Sequence, residues 1–246
     1  MTIKSFRTKA TKAADAILAA GSDDLAAIEA ALAAHFPHGP GALSKAEEAF
    51  RADLEANGAD AANSLLSGAI PAARDLLSLV LSNIQVLERF VDLHVPQMED
   101  GNNFGVTVQM TVAKFLKDTR EELGKKLDAI PAYYASRADA VDKLGLAKTT
   151  SSRTKTETES NSAGGKDGDE SKKSTTVSTE EKETAQAKAD YHRSQAVLAI
   201  DVQCYADLHS TLQSLLTGYV CVLDNMEKNE SKLRAPKGSS NSMGMY

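Results

Sequence analysis

Long stretches of this chain place apolar residues at every third or fourth position, which is the period of an α-helix and not of a strand. Over residues 64–95 the stripe is Leu66, Ile70, Leu77, Val80, Leu81, Ile84, Leu87, Val91 and Val95. Over 180–232 it is Leu198, Val202, Tyr205, Leu208, Leu212, Leu215, Tyr219, Val222 and Met226. A third stripe over 106–146 holds Val112, Leu116, Leu123, Leu127, Ile130, Tyr134, Val141 and Leu144. The chain starts with Ile3, Phe6, Ala10, Ala13, Ile17 and Leu18, continued by Leu25, Ile28, Ala31, Leu32 and Phe36. Four such helices predict an all-α fold, a four-helix up-down bundle of long helices. The second helix is apolar over a wide arc, which suits packing on more than one side. Alanine and leucine dominate a chain with no Trp, and both favour helix.

Breakers set the expected boundaries. Gly21 should break the stripe, with Ser22 or Asp23 able to cap a restart, so the first helix is expected as two pieces in line or as one with a kink. Pro37 and the following His38-Gly39-Pro40-Gly41 end it. Residues 37–62 are polar and alanine-rich and read as a linker with a short helical patch around Ala46 to Leu54. Pro71 starts the second helix or kinks it, and Pro131 should kink the third. Residues 148–178 are nearly all Thr, Ser, Lys, Glu, Asp and Gly. They cannot bury enough apolar surface to offset their ordering entropy, so a disordered insert is expected. Pro236 and Gly238 stop the last helix and leave 237–246 as a flexible C-terminal tail. That tail ends on Met243, Gly244, Met245 and Tyr246, an apolar finish after a serine-rich spacer.

Charge and motif content narrow the function classes. A net charge of −6 argues against nucleic acid as the main partner. Cys204 and Cys221, about 17 residues apart on one expected helix, would lie some 25 Å apart and read as reduced core thiols. Lys4, Arg7, Lys9 and Lys12 interrupt any signal-peptide core, and no uncharged apolar run approaches the ~20 residues of a membrane span. The expectation is a soluble protein of the cytoplasm and/or nucleus with no membrane partner. His35, His38, His94, His192 and His209 show no metal-ligand spacing, so no metal is expected. Gly101 to Gly105 lacks the Lys-Ser/Thr of a phosphate loop, and adjacent Glu99 and Asp100 have no partner base. No catalytic residue and no cofactor is assigned, and the chain reads as a non-enzyme.

Between the second and third helices lies Glu99-Asp100-Gly101-Asn102-Asn103-Phe104-Gly105-Val106. Gly101 and Gly105 can take positive φ cheaply, and the Asp and Asn side chains can bond nearby backbone N–H groups. The turn has a specified shape. Together with Val108-Gln109 it resembles the activation loop of the REG (eleven-S) family of proteasome activators, nearly letter for letter. Tyr133-Tyr134-Ala135-Ser136-Arg137-Ala138-Asp139-Ala140-Val141 and His35-Phe36-Pro37 also resemble that family's helices, and the terminus resembles its C-termini. Two features depart from the pattern. Pro131 has no counterpart there, and the charged insert falls between the third and fourth helices instead of the first and second.

The resemblance implies one REG-type domain over 1–246, assembling as a homo-oligomer into a ring, a heptamer with a central pore. It implies as partner the α-ring of the core proteasome. Met243, Gly244, Met245 and Tyr246 would then dock between α-subunits, the Tyr246 carboxylate against a cation. Glu99, Asp100, Gly101, Asn102, Asn103, Phe104 and Gly105 would form the activation loop that opens the gate for peptide entry and exit, without ATP. The alternative is a non-catalytic helical-bundle scaffold or adaptor protein. A generic scaffold has no need for a shaped loop and an aromatic tail specified together. Topology adds one expectation without any family: two helices before the loop and two after it bring loop and tail to the same end.

Overall fold

The computed structural model describes residues 2–97, 103–148 and 187–237, with backbone only for 145–148 and 187–190. These form α1 (Ile3–His35), a 3-10 turn (Pro40–Ala42), α2 (Leu43–Asn57), α3 (Ser64–His94), α4 (Phe104–Lys148) and α5 (Ala187–Arg234). The all-α bundle is as the apolar stripes predict, with α1, α3, α4 and α5 as its four long members. Both α1 and α4 pack against α3 and α5, and α3 touches α5 across the middle. Consequently α1 and α4 occupy opposite corners.

The stripes meet in one core. Leu77, Val80, Ile84 and Leu87 of α3 bury with Leu116 and Leu123 of α4 and with Leu212, Leu215, Tyr219 and Val222 of α5. By length and composition alone α3 would also pass as a membrane span, yet its inner face fills this core. Asn63 caps α3, its side-chain oxygen accepting from the N–H groups of Leu65 (3.0 Å) and Leu66 (3.4 Å). Pro71 therefore lies inside α3, and Pro131 lies inside a continuous α4.

Two sequence expectations change. The first helix does not stop at Gly21: α1 runs unbroken to His35. A Cβ at Gly21 would sit 2.8 Å from Leu223 Cδ1, so the glycine serves the close approach of α1 to α5. Beside it Asn83 donates to Asp24 (2.9 Å) and to the Tyr219 hydroxyl (3.0 Å), and Tyr219 donates to Asp24 (3.1 Å), tying α1, α3 and α5. The connection 37–62 holds more helix than its propensity suggests, because α2 buries Ala46 and Phe50. Phe50 meets the Tyr205 ring edge-on at 5.6 Å, and Phe36 meets the same ring at 4.9 Å. Tertiary burial outweighs weak local preference here.

Candidate functional site at the loop pole

The chain start, the end of α3, the start of α4 and the end of α5 share one pole. Contacts made by four side chains establish this. The Thr11 hydroxyl lies 3.2 Å from His94 Nε2, joining α1 to the last residue of α3. Arg234, on the last turn of α5, pairs with Asp15 of α1 and lies over the Phe90 ring of α3, 5.7 Å from its centroid. Lys237 Nζ donates to the Gln97 carbonyl at 3.1 Å. Gln109, fully buried on α4, donates from Nε2 to the carbonyls of His94 (3.1 Å) and Leu233 (2.9 Å).

The closest approach is of backbone. A Cβ at Gly105 would fall 2.0 Å from the Pro236 carbonyl oxygen and 2.7 Å from its Cα. No side chain fits there. Gly105 is helical, in the first turn of α4, and among the described glycines positive φ belongs to Gly58 (78°). Its role is close packing, not the positive φ that turn chemistry suggests.

Of the expected loop residues, Glu99, Asp100, Gly101 and Asn102 lie outside the described residues, as do the tail residues Met243, Gly244, Met245 and Tyr246. The insert expected over 148–178 is likewise outside them, except that Lys148 ends α4. Asn103, Phe104 and Gly105 are described. The Asn103 carbonyl accepts from the Thr107 N–H (3.0 Å) and hydroxyl (3.2 Å), so the loop's last residues are already the entry to α4. Phe104 is 69% exposed at this pole. What the described residues bring together is therefore the two stems: Gln97 and Asn103–Gly105 of the loop, and Leu233–Lys237 of the tail.

The second matching segment does different work. Asp201 of α5 is 2% exposed and accepts from the Tyr133 hydroxyl (2.8 Å) and from Arg137 Nε (3.0 Å). Arg137 also donates to the Ala59 carbonyl (3.0 Å), so one guanidinium locks α4 to α5 and to the α2–α3 connection. Burial and then the Asp201 carboxylate raise Tyr133 above the ordinary phenol range. Burial, then Asp201 and Asp207, push the neighbouring Cys204 thiol up to about 12. The group braces the bundle far from the loop. Sequence reading singled out Tyr133 and Arg137 but not their partner Asp201, whose signal is a lone acid on an apolar helical stripe. Among the described residues, no three His, Cys, Asp or Glu converge to hold a metal ion.

A helical bundle with loop and tail stems fused at one pole defines the class, and comparison with known proteins agrees. Residues 61–152 match the family model for proteasome activator PA28, C-terminal. The chain is 26% identical over 207 residues, 83% of its length, to proteasome activator complex subunit 3 of Homo sapiens. It spans 65% of the length of that protein. It is 35% identical over 65 residues to proteasome activator 28 of Dictyostelium discoideum, covering 26% of this chain and 29% of that one. Among solved structures it resembles the 11S subunit of the Plasmodium falciparum proteasome, PA28 (17% identity, TM-score 0.62, 95% and 92% of the two chains). It also resembles a chain of the archaebacterial 20S proteasome–PA26 complex (17% identity, TM-score 0.67, 99% and 98%). Over residues 61–152, and in its fold, the chain is similar to the PA28 (eleven-S) family of proteasome activators. That family is regulatory and non-catalytic.

Proposed function

We propose that this protein is an ATP-independent activator of the core proteasome. Its whole length, 1–246, acts as one REG-type domain. The tail Met243–Tyr246 docks on the α-ring, its carboxylate paired with a cation, and the loop Glu99–Gly105 presses on the gating turns and holds them open for peptide entry and exit. A ligand shifts a gate only by its differential affinity for the open state, so the wedge must be held stiffly relative to its anchor. The observation that carries this reading is the backbone contact of Gly105 with Pro236, which seats both stems on one surface.

Assembly into a homo-oligomeric ring, as a heptamer, makes weak tails effective by avidity. Ile3 (65% exposed) and Phe6 (45%) on α1, and Met110 (59%) and Tyr134 (56%) on α4, support it. These apolar residues sit on opposite corners of the bundle, which suits a head-to-tail contact that closes a ring. The setting is the cytoplasm and/or nucleus, where core proteasomes are met.

The test mixes the purified protein with latent core proteasomes and a fluorogenic peptide, without ATP. Stimulated hydrolysis supports the reading. Unchanged hydrolysis at saturating protein rejects it.

A further inference from the structure

Gln109 holds a position that packing alone does not explain. It is 0% exposed, and its Oε1 has no hydrogen-bond partner among the described residues. A buried unsatisfied acceptor is a standing cost, and an apolar residue of the same shape would avoid it. What an apolar residue cannot do is donate twice. The two N–H groups of the Gln109 amide go to two carbonyls, His94 at 3.1 Å and Leu233 at 2.9 Å. Those are terminal carbonyls of two different helices, α3 and α5, and helix ends leave their last carbonyls without intrahelical partners.

The geometry follows from the connectivity. His94 is three residues before Gln97 at the loop's entry, Gln109 is four after Gly105 at its exit, and Leu233 is three before Pro236 at the root of the tail. One planar amide thus spans the entry helix, the exit helix and the tail helix in a single layer just beneath the surface. Gly105 against Pro236 and Lys237 against Gln97 form the layer above it.

We infer that Gln109 is a positioning residue that fixes the height of the loop relative to the root of the tail, so that docking of the tail is converted into displacement of the gate. The inference rests on the activator reading above and deepens it. Without the amide, the last turn of α5 loses its tie to the end of α3 and the start of α4, while the rest of the helix stays held by the core and by Asp201. The tail would still reach its pocket, being joined through a spacer of several residues, but the loop would no longer stand at a set height above it.

The test uses Gln109→Met, which keeps the length and removes both donors, and Gln109→Asn, which is too short to reach both carbonyls. Leu123→Ala serves as a control for general destabilisation, since Leu123 is a core residue of α4 remote from the pole. Each is assayed for affinity to core proteasomes and, separately, for peptide hydrolysis at saturating activator. The wild-type protein must first bind and stimulate; if it does not, the activator reading fails and not this one. Gln109→Met is expected to bind within about twofold of wild type and to stimulate about fivefold less or worse at saturation, because only the differential affinity for the open gate is lost. Leu123→Ala should lower the melting temperature and leave saturating stimulation intact. If Gln109→Met does not fold, Gln109→Asn is read by the same split. Wild-type stimulation by a folded Gln109 variant overturns the inference. So does a loss of affinity in proportion to stimulation, or failure of both variants to fold.

Discussion

Gly105 at the start of α4 and Pro236 just beyond α5 touch through their backbones, so closely that a methyl group on Gly105 would stand 2.0 Å from the Pro236 carbonyl oxygen. The contact joins residues on opposite sides of the chain's longest connection and fuses the stem of the loop to the stem of the tail. Gly105→Ala should therefore be harmful despite alanine's better helix propensity, worth about 1 kcal/mol. Forcing the backbones apart costs about 1–3 kcal/mol, as overpacking does. Thermal melting is expected to show a net loss of stability, and saturating stimulation of peptide hydrolysis should fall. A more stable, fully active Gly105→Ala protein would contradict the account.

Loop and tail are expected to separate by function. Replacing Asn102 or Asn103 with a bulky residue should leave proteasome binding intact and abolish stimulation. Deleting Met245-Tyr246, which moves the terminal carboxylate, or amidating the terminus, which removes it, should abolish binding itself, because the proposed cation on the α-ring would then lack its anionic partner. Cosedimentation with core proteasomes, run beside the peptide assay, distinguishes the two. Normal cosedimentation of the truncated protein would remove the tail from the mechanism.

The brace at Asp201 makes a prediction confined to stability. Arg137→Met leaves a carboxylate that is 3% exposed with only Tyr133 for company. Breaking one side of a buried ion pair costs about 3–5 kcal/mol. Denaturant unfolding should show that loss. Protein that remains folded should still stimulate at saturation, since the brace is remote from the loop pole.

Stability should also fall at high pH. Cys204 ionises near 9 in an unfolded chain and is pushed up to about 12 in the fold. Tyr219, raised chiefly by burial from about 10, reaches about 12. The folded state thus holds protons that the unfolded state releases. The stabilisation is fully present below pH ~9 and is lost as pH rises toward 12. Cys204→Ala should flatten the first part of that decline, between pH ~9 and 10. Cys221 is exposed and not the core thiol its sequence suggests, so at neutral pH iodoacetamide should modify it and spare Cys204.

Much of this was legible in the sequence because periodicity and topology are written locally. The stripes through Leu77–Leu87 and Leu208–Val222 dictate helices, and four helices in up-down order dictate which ends meet. Glycine roles were not legible. Gly21 and Gly105 look alike in sequence to a helix break and a turn residue, yet both lie inside helices where another segment presses close. Only the neighbour's position, Leu223 or Pro236, tells the difference. The helix α2 was hidden for a related reason. Its stability comes from Phe50 packing on Tyr205, a partner more than 150 residues away. Gln109 stood in plain view within the matching stretch, but its two carbonyl partners belong to helix ends that only the fold assembles.

The central claim is that anchor and wedge engage one target surface together. A photo-crosslinking residue placed at position 102, and in a second sample at position 245, tests it in the assembled complex with core proteasomes. The account predicts adducts to α-subunits from both positions in the same assembly. Crosslinking from 245 alone, with position 102 reacting only with other copies of this chain or with solvent, would contradict it.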